Sequence, residues 1–153
     1  MIKSVRFTSK ACAENIIFPG DGHCLISIVE PGETRRLSPH WKNRVDLDFH
    51  DMDADAFNGQ NWSVAESEGR VVVDWVRFNE THAVKIIKFV TALETRRGHF
   101  ELIVHCHAGI SRSAAVAKFV AELYDLHFPE NYELYNKRVY QTLRSVFLRA
   151  AFN

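Results

Sequence analysis

Glu101-Leu102-Ile103-Val104-His105 runs directly into Cys106-His107-Ala108-Gly109-Ile110-Ser111-Arg112-Ser113, and then into Ala114-Ala115-Val116-Ala117-Lys118-Phe119-Val120-Ala121-Glu122-Leu123. The opening residues are an apolar run of strand length, of the kind buried on both faces of a sheet. The closing run is helical by propensity and by pattern. Between them lies a loop too short to hold an element of its own. Ligands of open α/β sheets bind beyond the carboxyl ends of the strands, and Cys106 sits at that end.

The loop has the composition of an anion site. A helix that begins near Arg112 presents free backbone N–H groups and the positive end of its dipole. Gly109 lets the chain curl without a Cβ clash, so that successive N–H groups point inward as a nest. A thiol beside a helix N-terminus and a guanidinium is driven toward the thiolate, which is the nucleophile. Arg112, six residues after Cys106, returns over the loop to hold two phosphate oxygens in a planar fork that lysine does not reproduce. The backbone N–H groups of His107, Ala108, Gly109, Ile110 and Ser111 complete the phosphate site. Ser113 brings a hydroxyl near the sulfur to stabilise a departing thiolate. His105 orders the loop through its ring nitrogens and is not the base. A cysteine after an apolar strand is ordinarily a core residue. His, Gly, Ser and Arg all in place around Cys106 favour the catalytic role.

The remaining elements alternate between strand and helix. Val5 to Phe7 and Cys24 to Val29 read as short buried strands, the second ended by Pro31-Gly32. Val45, Leu47 and Phe49 alternate with Asp46, Asp48 and His50 in a half-buried strand pattern. Residues 54 to 70 read as an irregular loop, and 71 to 78 as either a strand or a cover for the core. Asn79 is the N-cap of a helix with Ala83, Ile86, Ile87, Val90 and Leu93 on one face, ended by Gly98. The helix after Arg112 is broken by Pro129. Asn136 caps a last helix whose buried stripe is Val139, Leu143, Val146, Phe147 and Ala150. Its Lys137, Arg138, Arg144 and Arg149 read as a solvated face. Strands and helices in this order predict a single α/β domain over residues 1–153.

Composition narrows the partners. The 153 residues are 46% hydrophobic and 25% charged, with zero formal net charge, which is ordinary for a soluble globular chain. That balance predicts no nonspecific affinity for nucleic acid or for an acidic membrane. No apolar run reaches signal-peptide or membrane-spanning length, and three scattered cysteines suit a reducing compartment, so the expected location is cytoplasmic. Cys106 with His105 and His107 is too cramped for a zinc site, and neither a metal nor a cofactor is expected. Cys12 and Cys24 are candidates for a protective disulfide with Cys106. Trp41, Trp62 and Trp75 read as core or rim residues.

The string His-Cys-His-Ala-Gly-Ile-Ser-Arg-Ser resembles the H-C-x5-R-S loop of protein tyrosine phosphatases. It is most similar to the dual-specificity branch, whose loops commonly read H-C-x-x-G-x-S-R-S. The resemblance covers residues 79 to 125, is weaker over 22 to 53 and 129 to 150, and is absent from 54 to 78. It implies a three-layer α/β fold with a central, mostly parallel sheet flanked by helices. It also implies hydrolysis of phosphate monoesters through a phosphocysteine, with a phosphorylated protein or peptide as substrate. Such enzymes carry an Asp on a loop after a strand as general acid. The phase of Val45, Leu47 and Phe49 continues to Asp51, which is the first choice. Asp53 shares that phase, and Asp74 has the family's usual separation from the cysteine. Asp46, Asp48 and Asp55 read as a solvated acidic face. The segment between Asp51 and the helix at 79 is longer here than in the family. Two alternatives remain open: the same chemistry on a phosphoinositide or an RNA 5′-phosphate, or a non-catalytic phosphate-binding module. Residues 107 to 111 contain no lysine, a residue common in the loops of lipid phosphatases.

Overall fold

The computed structural model describes residues 1–52 and 76–153, and between them the backbone of Ser63–Ala65 and Val72–Asp74. The side chains of Asp53, Asp55, Trp62, Asp74 and Trp75 lie outside the described residues. Four strands form one wholly parallel sheet: β1 (Ile2–Ser9), β2 (His23–Val29), β3 (Asn43–Asp48) and β6 (Phe100–Cys106), in the order β1-β6-β2-β3. β4 (Ser63–Ala65) and β5 (Val72–Asp74) pair with each other, antiparallel, in a separate ladder. So the stretch 54 to 70, expected to be irregular, holds a strand. The helices are α1 (Lys10–Glu14), α2 (Glu80–Thr95), α3 (Arg112–Leu123) and α4 (Lys137–Ala151). The architecture is α/β, a parallel sheet flanked by helices.

β6 is an interior strand, with β1 on one side and β2 on the other. Its near-continuous apolar run follows from that position, because both faces are covered. Side chains alternate between the faces. Cys24, Ile26 and Ile28 of β2 and Leu102, Val104 and Cys106 of β6 enter the main core with α2, α3 and α4. Leu25 and Ile103 turn the other way and pack with Trp41, beside Ile16 and Leu37.

Local chemistry sets the helix starts. The Asn79 side chain accepts from the Thr81 and His82 N–H groups, and the His82 ring accepts from the Asn79 N–H, a reciprocal cap. Asn136 caps α4 by accepting from Val139 N–H at 3.0 Å. Ala83, Ile86, Val90 and Leu93 of α2 are buried and Ile87 is half-buried, as the 3.6-residue period requires. α3 ends at Leu123, well before Pro129, and Asp125 follows in the left-handed region at φ 53°. On α4, Val139, Leu143 and Val146 are buried, whereas Ala150 is exposed because the stripe runs past the core there. All four of its basic residues have protein partners: Arg149 pairs with Glu80, Arg138 donates to the Phe78 carbonyl, Lys137 donates to the Glu133 carbonyl, and the Arg144 guanidinium lies over the Tyr140 ring.

Replacing Leu102, which has 0% exposure at the centre of the sheet, tests this core. Leu102→Ala is expected to cost about 2–5 kcal/mol in urea unfolding. Val84→Ala, on the exposed side of α2, is expected to stay within about 0.5 kcal/mol of wild type.

Candidate active site

The loop from Cys106 to Arg112 leaves the carboxyl end of β6 and is pressed against the end of β1. Ser9 is in register with Cys106, and Lys10 N–H donates to the His107 carbonyl at 3.1 Å. Gly109 has φ +72°, and a Cβ there would lie 2.4 Å from Ser9 N and from the Thr8 carbonyl carbon. Only glycine satisfies both the backbone angle and the space. On the other side, the Tyr132 hydroxyl donates to the Ile110 carbonyl at 2.5 Å. Burial raises the Tyr132 pKa, and the negative charge of a Cys106 thiolate adds to it.

Within that curl, the N–H groups of His107, Ala108, Gly109, Ile110 and Ser111 donate to no acceptor among the described residues. Cys106 is buried at 2% exposure beneath the exposed His107, Ala108 and Ile110. Its Sγ lies 3.1 Å from Ser113 Oγ. Arg112 is the first residue of α3 and is 4% exposed. Its Nη1 donates to the Phe49 carbonyl at 2.8 Å, while its buried Nε has no partner among the described residues. A guanidinium so far out of water, with one N–H unanswered, is costly to hold unless an anion completes it. Together with the free N–H groups at the α3 N-terminus, this arrangement can hold a tetrahedral oxyanion.

Asp51 reaches the same loop. Its Oδ1 accepts from Ser111 Oγ at 2.8 Å and from Asn136 Nδ2 at 2.8 Å. Both donors fall on one oxygen, which leaves Oδ2 for a proton in transit. Asn136 is buried and also donates to the Met52 carbonyl at 3.2 Å, while its own N–H donates to the Ser111 carbonyl at 3.0 Å. One asparagine therefore caps α4, steadies Asp51 and braces the loop. Its sequence signal, an Asn ahead of an amphipathic run, shows only the cap. Tyr132 had no signal of its own. Asp46 and Asp48 are solvent-accessible as expected and also pair with arginines: Arg44 Nε lies 2.8 Å from Asp46, and Arg35 Nη2 lies 2.7 Å from Asp48. Asp53 and Asp74 are rivals to Asp51 whose side chains lie outside the described residues.

His105 is fully buried, one residue out of phase with Cys106, so its ring points to the opposite face of the sheet. Its Nε2 lies 2.7 Å from Ser27 Oγ, and Nδ1 lies 3.5 Å from the Cys106 carbonyl oxygen. Burial pushes its pKa down to about 4, so the ring is neutral near neutrality. His107 is exposed and sits 3.6 Å from Glu33, a carboxylate already held by Lys10 at 2.8 Å.

All three thiols are free. Cys24 is in register with Leu102, four residues from Cys106. That is about 13 Å along the strand at the usual rise, far beyond disulfide reach. A bridge from Cys24 to Cys106 is excluded. Burial pushes the Cys24 thiol up to about 11, whereas hydrogen bonds from the Ser9 and Thr8 side chains hold the exposed Cys12 below its ordinary value. Among the described residues, no group of three or more His, Cys, Asp or Glu side chains is placed to hold a metal ion. Among them, too, no helix is long and apolar enough to cross a membrane. No family model matches the chain, and neither a curated protein nor a solved structure matches it.

Two outcomes check this geometry. Gly109→Ala is expected to lose about 1–3 kcal/mol of stability from backbone strain, read as a lower urea midpoint, together with affinity for inorganic phosphate. At pH 8, brief iodoacetamide treatment of the folded chain is expected to mark Cys12 and spare Cys24, as resolved by peptide mass spectrometry. Equal labelling of the two would contradict their placement.

Proposed function

We propose that this chain is a cysteine-dependent phosphatase of phosphate monoesters, similar to the dual-specificity branch of the protein tyrosine phosphatases, and that it acts on phosphorylated protein or peptide. The observation that carries the reading is the buried, unanswered Arg112 Nε at the end of a loop whose N–H groups are free among the described residues and whose first residue is a cysteine. A phosphate dianion meets all of these donors together, and the thiol then lies next to its phosphorus.

The chemistry runs in two steps. The Cys106 thiolate attacks phosphorus in line, forming an S–P bond as the P–O bond to the leaving group breaks. The leaving oxygen takes a proton from Asp51 Oδ2. Arg112 and the loop N–H groups hold the three equatorial oxygens, where charge spreads in the transition state. Water then attacks phosphorus and gives its proton to Asp51, and the S–P bond breaks. The Ser113 hydroxyl, already in hydrogen-bond reach of Sγ, stabilises the departing thiolate. Inorganic phosphate leaves, and every group is back in its starting state.

The tether of Asp51 to the loop favours this reading over a non-catalytic phosphate binder, which has no need of a carboxylate there. The absence of lysine from 107–111 favours a peptide over a phosphoinositide.

Turnover of an aryl phosphate tests the proposal. Cys106→Ser is expected to abolish it while phosphate binding survives. Arg112→Lys is expected to lose about 10²–10³-fold in rate, as for removal of a charge-stabilising donor, and to weaken phosphate binding. Asp51→Asn is expected to lower kcat by about 10²–10³-fold, with less effect on aryl phosphates whose leaving groups need no proton. Inorganic phosphate should protect Cys106 from alkylation. Near-wild-type turnover by Cys106→Ser would sink the mechanism. Rates on phosphotyrosine peptide, phosphoserine peptide, inositol phosphates and 5′-triphosphate RNA then rank the substrate classes.

A further inference from the structure

Behind the loop, on the face of the sheet away from Cys106 Sγ, lies a buried polar chain that the two-step mechanism does not use. Ser27 is 0% exposed and stands in register with His105 on the neighbouring strand. Both interrupt apolar runs within their strands, and buried polar groups in such a place are costly unless satisfied. Here they are satisfied in sequence. Arg35 Nε donates to Ser27 Oγ at 2.9 Å, and Ser27 Oγ lies 2.7 Å from His105 Nε2. The Arg35 head is itself held by the Ser27 and Leu47 carbonyls at 3.1 and 2.8 Å and by Asp48 at 2.7 Å.

The chain has one direction. The Cys106 carbonyl can only accept, so its 3.5 Å contact, at the outer limit of a hydrogen bond, points to the proton being on His105 Nδ1. In a neutral ring Nε2 is then the acceptor, and Ser27 O–H must be its donor. Ser27 in turn accepts from Arg35, whose guanidinium can only donate. Each bond polarises the next. The last one draws the Cys106 carbonyl toward the ring. In a planar trans peptide the following N–H points opposite to that carbonyl. The His107 N–H, the first donor of the loop, is thereby turned away from the ring.

We infer that Arg35 and Ser27 are positioning residues for the loop: acting through His105, they set the Cys106–His107 peptide plane and so aim the His107 N–H at the bound oxyanion. The placement of the peptide stands on the hydrogen-bond chain alone, while its use in binding phosphate rests on the function proposed above. A merely structural pair would stabilise the sheet without selecting a tautomer. The positioning role requires one tautomer and couples it to the loop.

The test uses the full chain labelled with ¹⁵N at histidine and backbone. In wild type, His105 is expected as the single Nδ1–H tautomer at neutral pH. Arg35→Met and Ser27→Ala are expected to give mixed tautomers, to shift the His107 amide, and to weaken inorganic phosphate binding about tenfold, the loss of one well-aimed hydrogen bond. Ser27→Thr, which keeps the hydroxyl, is expected to restore all three. If one of the first two variants fails to fold, the other carries the comparison. A wild-type Nε2–H tautomer would overturn the inference. So would variants that leave the tautomer unchanged, or that change it without moving the His107 amide or, in a chain that binds phosphate, the affinity. If wild type neither binds phosphate nor cleaves esters, the proposed function falls, and the tautomer and the His107 amide still decide the positioning of the loop.

Discussion

A guanidinium held almost out of water governs this structure. Arg112 begins α3 at the end of an interior strand, and its charge is answered within the described residues by the Phe49 carbonyl alone. A buried cation with an idle N–H is tolerable only where an anion can complete it. That demand explains why the chain around it is so constrained. Among the described residues the loop N–H groups donate to no acceptor, they lead into the N-terminus of α3, and Cys106 opens the same loop.

The curl is braced from three directions by segments remote in sequence. The end of β1 presses on Gly109 and binds the His107 carbonyl. The residues after β3 supply the Phe49 carbonyl and Asp51. The segment ahead of α4 supplies Tyr132 and Asn136. That last segment and the start of α4 are fastened to α3, where the Lys118 ammonium lies 5.5, 5.2 and 5.3 Å from the ring centres of Phe128, Tyr135 and Tyr140 and 3.0 Å from Glu122. Cation–π contacts with a partly sheltered lysine are each worth about 0.5–2 kcal/mol. Here they hold the braces against the helix that carries Arg112.

Alternation along β6 divides the labour between its two faces. Cys106 enters the side shared with α2, α3 and α4, where the dipole and the arginine lie. His105 enters the opposite side, the face to which Leu25 and Ile103 also point, where burial keeps its ring neutral. The histidine adjacent to Cys106 in sequence is thus separated from its sulfur by the sheet itself, and it meets the loop at the Cys106 carbonyl.

The linear chain was enough to establish the strand–loop–helix at 101–123, the cap at Asn79, the helix between Asn79 and Gly98 and the place of Cys106, Arg112 and Ser113 on one loop. Each follows from local rules: a period, a cap, or a spacing within one turn of a loop. The phase of Val45, Leu47 and Phe49 also carried Asp51 toward the loop, since alternation needs no knowledge of the partner strand. The strand order, the wholly parallel pairing, the clasp of Asn136 and Ser111 on Asp51, and the chain through Ser27 and Arg35 were decided only by the tertiary structure. Most of those are meetings of residues dozens of positions apart, and even Ser27 and Arg35, eight apart, meet only once the chain has left its strand. A serine in an apolar strand or an arginine in a connecting loop has no meaning until the sheet register sets them side by side.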